Sequence, residues 1–469
     1  MNLEVVVRPV NLEKCAAWMG VAREVNENLR NLPLPDIWMD SRKIQKGDIF
    51  LALEGQKRDG HEYISAAFEN GACAAVVAEK KKADIPSRYH SRLLCVDDPL
   101  TAVTKAAREY RNYLDIPVIA VTGSNGKTTS ARFLYALLSQ KYRVGRTRGN
   151  WNNHIGVPLS LLRLQGDEDM AVFELGANHR FEIAENAAIV RPDMGVITNI
   201  GYAHVGYFGG IEKTVEAKFE LAEVVQSLGG TLYLNGDDRR IREYSRNKGF
   251  DSLYFGLSEN ADIRGENVQC QKDGTYTFRF RGSRFHLPIP GRHFIYALLP
   301  ALELAFQLGI SKDDCRAALK NLTSGDMRGE IVTRKDITWI VDCYNSNPSS
   351  MDSAMKLLCD YPAQGGRRVV IAGEMHELEE YSEKLHRWVG ERAVRLGIDM
   401  VVALGDAARG IYEGARDAGM DEATLVYLKS VEEMEAAAHI LTPGDVVLLK
   451  GSRVAKMERI LDFFPESTQ

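Results

Sequence analysis

At 469 residues the chain is long enough for about three domains, and its 45% hydrophobic and 26% charged content is that of a globular protein. Acidic residues number 64 against 59 basic, a net charge of −5, which argues against a protein held to nucleic acid by overall positive charge. Seven scattered cysteines (Cys15, Cys73, Cys95, Cys270, Cys315, Cys343, Cys359) form no Cys-x-x-Cys pair; they argue against a disulfide framework or zinc site and read as buried thiols in a reducing compartment. The start, Met1-Asn2-Leu3-Glu4-Val5-Val6-Val7-Arg8-Pro9, lacks the charged head and apolar core of a signal peptide, and no uncharged apolar run nears about 18 residues. A cytoplasmic protein without a membrane span is expected.

In chain order, residues 1–114 read as a small α/β domain. A strand is predicted at 49–53, a helix at 63–69 stopped by Asn70-Gly71, a strand at 74–78 and a helix at 99–113. Asp115-Ile116-Pro117 marks a boundary. Over 115–322, strands at 117–121, 170–174, 194–198, 231–235 and 252–255 alternate with helical stretches, the pattern of a mostly parallel sheet covered on both faces. The period-two run Thr275-Tyr276-Thr277-Phe278-Arg279-Phe280 adds a small antiparallel element before a helix at 293–308. A second α/β series follows over 323–469, with strands at 337–342, 368–372, 399–404, 424–428 and 445–449. It reads as Rossmann-like but carries no Gly-x-Gly-x-x-Gly fingerprint. The expected fold class is thus α/β in three domains: a small N-terminal α/β domain, a central, mostly parallel P-loop ATPase-like sheet and a C-terminal Rossmann-like domain.

The stretch around which the rest is organised is Thr122-Gly123-Ser124-Asn125-Gly126-Lys127-Thr128-Thr129-Ser130. It lies between an apolar run and an amphipathic one, which makes it strand, glycine turn and helix. Glycines let the backbone approach a ligand, and a helix N-terminus supplies free N–H groups and partial positive charge. A lysine and a hydroxyl directly after the turn suit a phosphate chain and its Mg²⁺. The spacing Gly-x-x-Gly-Lys-Thr is shorter than the usual phosphate loop, and an ordinary strand-to-helix turn is the plainer alternative.

Other polar groups fall at the ends of predicted parallel strands, where ligands bind in such sheets. Glu174 closes one strand, and His204 follows Thr198-Asn199-Ile200-Gly201; with Thr128 they could meet around Mg²⁺. Read singly, Glu174 is also a surface carboxylate and His204 a loop histidine. Lys218, in Glu216-Ala217-Lys218-Phe219-Glu220, reads by itself as a solvated helix lysine. Asp342-Cys343-Tyr344-Asn345-Ser346-Asn347-Pro348 and Lys450-Gly451-Ser452-Arg453 form polar strand-end loops in the last domain, as a ligand rim or as simple turn and cap chemistry.

Taken together, these stretches resemble the Mur ligase family, the ATP-dependent amino-acid-adding enzymes of peptidoglycan precursor synthesis. Gly123-Ser124-Asn125-Gly126-Lys127-Thr128-Thr129 is similar to that family's shortened phosphate loop. Gly149-Asn150-Trp151-Asn152-Asn153-His154 resembles the stretch on the substrate side of the loop; Glu174-Leu175-Gly176-Ala177-Asn178-His179, Thr198 to His204, Asn235-Gly236-Asp237-Asp238 and both C-terminal loops match in order. The resemblance implies ATP contacts at Gly123, Ser124, Asn125, Gly126, Lys127, Thr128, Thr129, Arg328, Asp342 and Asn345, and catalytic roles for Lys127, His204 and Lys218. Mg²⁺ would be held by Thr128, Glu174, His204 and a carbamylated Lys218. Ser41 in Asp40-Ser41-Arg42 and His61 in Asp59-Gly60-His61 would serve the uridine diphosphate end of the substrate, Asn152 and Asn153 would bind substrate beside the phosphate loop, and Lys450 and Ser452 would face the incoming amine. The implied partners are UDP-N-acetylmuramoyl-tripeptide and D-alanyl-D-alanine, with the protein as a monomer.

Within the family, the ligase adding the third residue usually carries Asp-Asn-Pro-Arg, where this chain has Asn345-Ser346-Asn347-Pro348. A nucleotide-binding module that has lost catalysis is the alternative from another class. Two departures stand out. The family's Gly-x-His-Asn-x-x-Asn is Gly291-Arg292-His293-Phe294-Ile295-Tyr296-Ala297, without both asparagines, and Arg180-Phe181 stands where Pro-Gly is commoner.

Overall fold

The computed structural model describes residues 10–21, 25–55, 57–323, 325, 327–363 and 365–465. The N-terminal stretch 1–9 and Asp326, two positions before Arg328, lie outside them. Three parallel or mostly parallel sheets follow one another along the chain, with a small antiparallel sheet beside the second.

The first sheet has four strands, Ile37–Trp38, Ile49–Leu51, Ala74–Ala78 and Leu93–Val96, all parallel. The helix Pro99–Tyr113 starts where the sequence dictates: Asp98 accepts from Thr101 N at 2.7 Å and Pro99 occupies the first turn. Its buried face, with Val103, Ala106 and Tyr110, joins an apolar cluster that runs on into Val118, Ala120, Phe173 and Ile197 of the next sheet. The first two sheets therefore share a core.

The central sheet has seven parallel strands. Third from one edge lies Val118–Thr122, every residue buried, flanked by Met170–Glu174 on one side and Met194–Ile197 on the other. Continuous apolar runs of this kind belong to strands covered on both faces. Successive strands leave Val118–Thr122 in opposite directions, so the crevice at its C-terminal end is the switch point where such sheets bind ligands. The second face packs on Lys127–Leu138 and the apolar helix His293–Gln307.

The last sheet has six strands, five of them parallel: Ile337–Val341, Val446–Lys450, Arg368–Gly373, Met400–Leu404 and Leu425–Leu428. The sixth, Glu330–Arg334, is antiparallel and was not foreseen; it pairs with Ile337–Val341 through a tight turn in which Lys335 and Asp336 have φ of 50° and 57°. Val205 of the central domain packs into this domain's core beside Leu378. None of the seven cysteines is in a disulfide, but Cys270 is exposed, against expectation, on Glu266–Cys270 at the edge of the small antiparallel sheet. Among the described residues no helix is long and apolar enough to cross a membrane.

Candidate active site

The glycine turn is held open by its own neighbours. Gly123 has φ of 145°, and a Cβ there would collide with Thr198 Oγ1; Gly126, at φ 79°, ends the turn. Ser124 N donates to Asn199 O at 2.9 Å and Asn125 N to Asn199 Oδ1 at 2.9 Å, while Gly201 N donates to Ser124 Oγ at 2.8 Å. The helix Lys127–Leu138 begins at Gly126 with no side-chain cap, so its first turn meets the cleft uncapped. Lys127 Nζ folds back to Gly123 O at 2.8 Å and Ser124 O at 3.2 Å, which poises it over the loop. Burial and the charge of Arg328 push its pKa down, and Glu174 opposes them.

A cleft of about 580 Å³ opens here between the central and C-terminal domains. It gathers Ser124, Asn125, Gly126, Lys127, Thr128, Thr129, Asn152, Glu174, His204, Arg328, Asp342, Asn345 and Lys450 from the expected set. Gly123, Lys218, Ser41, His61, Asn153 and Ser452 do not line it.

Glu174 is almost fully buried, and its Oε1 accepts from Asn152 Nδ2 at 2.7 Å. Asn152 thus aims a carboxylate. Asn153 Oδ1 accepts from Gly156 N at 2.8 Å, opening the helix Gly156–Leu162. His204 Nδ1 lies 2.7 Å from Glu377 Oε2 of the last domain, close in distance but out of line for a hydrogen bond. Lys218 overturns the plain reading as a solvated lysine. It sits on Ile211–Ser227 with no exposed surface, its Nζ has no hydrogen-bond partner, and the Phe208 ring lies 5.1 Å away. Burial, then the charge of Lys127, drives its pKa down to about 7, with Glu220 and Glu182 opposing.

Among the described residues no three His, Cys, Asp or Glu side chains converge into a ready cage for a metal. Mg²⁺ does not need one, since it keeps waters and takes one or two carboxylates plus substrate phosphates. Buried Glu174, cleft-lining Thr128 and His204, and a lysine amine left without a partner fit that donor set once Lys218 carries a carboxylate.

Across the cleft, Arg328 lies with its guanidinium 3.8 Å from the Tyr344 ring centroid. Lys450, expected to meet substrate, is committed elsewhere. Its Nζ donates to Asp342 Oδ2 at 2.7 Å, Asn345 O at 2.9 Å and Asp342 O at 3.3 Å, which uses all three of its donors. By contrast, the hydroxyls of Ser346 and Ser452 are buried without a partner. Where the family pattern has asparagines, Phe294 and Ala297 present an apolar wall, extended across the cleft by Ala354 and Leu357. Tyr296, between them, donates to Asp237 Oδ2 at 3.0 Å.

Far from this cleft, His61 is spent on its own domain. Its Nδ1 meets Asp59 Oδ1 at 2.6 Å and its Nε2 accepts from Ala78 N at 3.0 Å. Ser41 opens a short 3₁₀ turn that Asp40 caps. Tyr344, Ser346 and Asn347 lie in the strand-end loop that the sequence marks as a ligand rim, without any one of them standing out there, and Glu377 carries no signal in the sequence. Asn347-Pro348 did carry a helix-start signal, but nothing local names its partner.

A parallel sheet carrying a short phosphate loop, with a second parallel sheet docked onto that loop, defines a multi-domain α/β protein built around a phosphate-binding cleft. The family model for the Mur ligase middle domain matches residues 121–305, that for the Mur ligase, glutamate ligase domain residues 327–453, and that for the Mur ligase family, catalytic domain residues 36–114. The chain is 32% identical to the UDP-N-acetylmuramoyl-tripeptide--D-alanyl-D-alanine ligase of Bacillus subtilis (strain 168), over 91% of this chain and 92% of that one. The enzyme of that name from Escherichia coli (strain K12) is also 32% identical, over 93% and 95%. Among solved structures, MurF from Acinetobacter baumannii superposes with a TM-score of 0.84 at 28% identity, covering 97% of this chain and 98% of that one. MurF ligase from Thermotoga maritima, solved in complex with ADP, gives 0.78 at 28% identity over 92% and 97%. The chain belongs to the Mur ligase family.

Proposed function

We propose that this protein is an ATP-dependent ligase that joins D-alanyl-D-alanine to UDP-N-acetylmuramoyl-tripeptide in peptidoglycan precursor synthesis. The observation that carries this reading is the match, at 32% identity and over nearly the full length of both chains, to ligases whose names state that reaction. The cleft supplies the parts such chemistry needs. The tripeptide's terminal carboxylate attacks the γ-phosphorus of ATP, giving an acyl phosphate and ADP. The dipeptide's neutral amino group then adds to the acyl carbon, the C–O bond breaks as phosphate leaves with its electron pair, and the nitrogen passes a proton to the departing phosphate.

Catalysis of this kind is mostly positioning and charge neutralisation. The loop backbone of Gly123 to Gly126 and the uncapped first turn at Thr128 and Thr129 bind phosphate, and Lys127 swings from the loop carbonyls onto the β/γ oxygens. Arg328 approaches the nucleotide from the last domain. Phe294 and Ala297, with Ala354 and Leu357, take the adenine by apolar contact, and Asp342 and Asn345 reach the sugar side. Neutral Lys218 takes up CO₂, its amine forming a C–N bond and releasing a proton, to become a carbamate anion. Thr128, Glu174, His204 and that carbamate would hold Mg²⁺, which would supply neutralisation of phosphate charge. Residues 1–114 serve the uridine nucleotide through the Ser41 loop, 115–322 ATP, and 323–469 the dipeptide, in a cytoplasmic monomer. His61 contributes by shaping its domain.

Phosphate release tests the reading. It should require ATP, Mg²⁺, the uridine-linked tripeptide and D-alanyl-D-alanine together, and yield one pentapeptide per phosphate. ATP turnover indifferent to both peptide substrates would instead favour a nucleotide-binding regulatory module.

A further inference from the structure

His204 does not stand alone at the cleft. Its Nδ1 is shut off from solvent and has no aligned hydrogen bond, and the carboxylate of Glu377 lies 2.7 Å away, on the far side of the domain boundary. A metal-bound imidazole uses one nitrogen for the metal and commonly gives its other N–H to a carboxylate, which fixes tautomer and ring direction. With the Glu377 carboxylate 2.7 Å from Nδ1, a small turn of either side chain lines up that contact, and Nε2 is the nitrogen left for the metal.

The loop that carries Glu377 is built to stay in place. Met375 N donates to the buried His386 Nε2 at 3.0 Å, and Leu378 is sunk in the C-terminal core beside Val205 of the central domain. Gly206 N donates to Glu377 O at 3.3 Å, a second tie across the same boundary. Both residues adopt the left-handed backbone region, His204 at φ 57° and Glu377 at φ 64°, where non-glycine residues are uncommon. The His204 carbonyl accepts from Phe208 N at 3.1 Å within its own domain, and the Glu377 carbonyl is the one bonded across the boundary.

We propose that Glu377 is a positioning residue that orients the His204 imidazole toward the metal from across the domain boundary. It follows that the metal site is complete only when the C-terminal domain is docked, so phosphoryl transfer waits for the domain that brings the amine. This inference rests on the ligase reading given above.

The test is Mn²⁺ binding in the presence of ADP, followed by the free-ion electron paramagnetic resonance signal, on full-length wild type, Glu377→Ala and Glu377→Gln. Glu377→Ala should melt like wild type but bind the His204-dependent ion about 10–100-fold more weakly. Glu377→Gln keeps an oxygen that accepts from Nδ1–H and should recover most of that affinity. The Michaelis constant for the dipeptide should stay unchanged in both. Wild-type Mn²⁺ affinity in Glu377→Ala overturns the proposal, as does an equal loss in both variants, which would make the charge and not the hydrogen bond the important property. A raised dipeptide constant with unchanged Mn²⁺ binding also overturns it, since Glu377 would then meet the incoming ammonium. Wild type that binds Mn²⁺ and ligates while the variants match it defeats this inference alone. Wild type that does neither defeats the ligase reading and this inference with it.

Discussion

Asn125 of the phosphate loop and Asn347 of the C-terminal domain exchange hydrogen bonds through their carboxamides, Asn347 Nδ2 donating to Asn125 Oδ1 at 2.8 Å and Asn125 Nδ2 to Asn347 Oδ1 at 3.3 Å. They are 222 positions apart in the chain. Asn347 Oδ1 also accepts from Ser350 N at 2.9 Å, capping the helix Pro348–Asp360, so one side chain both starts a helix and grips the loop.

Those two duties can be separated. Serine still caps a helix but is too short to reach Asn125, so Asn347→Ser should melt close to wild type. The Michaelis constant for ATP should rise about threefold to tenfold, the equivalent of ~0.7–1.4 kcal/mol for a lost amide pair. Asn347→Ala loses the cap as well and should cost about 1 kcal/mol of stability in urea denaturation. Unchanged ATP affinity in the serine variant would mean that the pair is incidental to nucleotide binding.

Lys218 gives a pH prediction with a definite sign. Folding lowers its pKa from the ordinary 10.5 to about 7. Between those values the unfolded chain holds a proton that the folded chain does not, so this lysine's destabilisation is complete below about pH 7 and is relieved as pH climbs toward 10.5. CO₂ reacts only with the neutral amine, so activity should fall as pH drops through 7 and should be lower in CO₂-stripped buffer. Labelled bicarbonate should yield a carbamate carbon signal in wild type that is absent from Lys218→Ala. Short carboxylic acids should restore part of that variant's lost activity by filling the carbamate's place. Full activity in Lys218→Ala without them would remove the carbamate from the mechanism.

How far the sequence could be read depends on how local each feature is. Ala74–Ala78, Pro99–Tyr113 and Met170–Glu174 fall where composition and capping put them, because an uninterrupted apolar run or an Asp-Pro start is decided within a few residues. Strand Glu330–Arg334 escaped because its turn is Lys335-Asp336, without the Asn-Gly or Asp-Gly signal of a tight hairpin. Val144–Arg146 is too short to show a period. At the site, the phosphate loop was legible as strand, glycines and helix. The burial of Lys218 was not, since tertiary packing alone turns its face of the helix inward. Pairings such as Asn125 with Asn347, or Lys450 with Asp342, join distant segments and leave no local trace.

Lys450 illustrates what that blindness costs, since its place in a polar strand-end loop suggested a substrate contact. In the fold its side chain is 2% exposed and bonded to Asp342, which is 22% exposed. Lys450→Met should therefore act on stability. Breaking a buried pair costs about 3–5 kcal/mol, and the partial exposure of Asp342 points to about 3 kcal/mol in urea denaturation. The surviving folded fraction should keep its Michaelis constant for the dipeptide. A stable variant with a raised dipeptide constant would restore the substrate role.

Ser346 and Ser452 should behave in the opposite way. Both are nearly fully buried, at 3% exposure each, and neither hydroxyl has a hydrogen-bond partner. A hydroxyl buried without a partner loses its hydration and gains nothing in return, a cost of about 1–3 kcal/mol that a fold sheds unless a ligand makes use of the group. The loops bearing them, after Ile337–Val341 and Val446–Lys450, end on the same rim as the cleft. D-alanyl-D-alanine offers a carboxylate and an amide whose polar atoms need partners once out of water. Removing an unpartnered hydroxyl should leave the free protein as stable as before or slightly more so, whereas removing one that binds the dipeptide should raise its Michaelis constant. Ser346→Ala and Ser452→Ala should thus show unchanged or higher melting temperatures. Their dipeptide constants should rise about tenfold each, ~1.4 kcal/mol, with those for ATP and the uridine nucleotide little altered. Loss of stability with unchanged dipeptide kinetics would show that the hydroxyls serve the fold, and the incoming amine would have to be recognised elsewhere on the C-terminal domain.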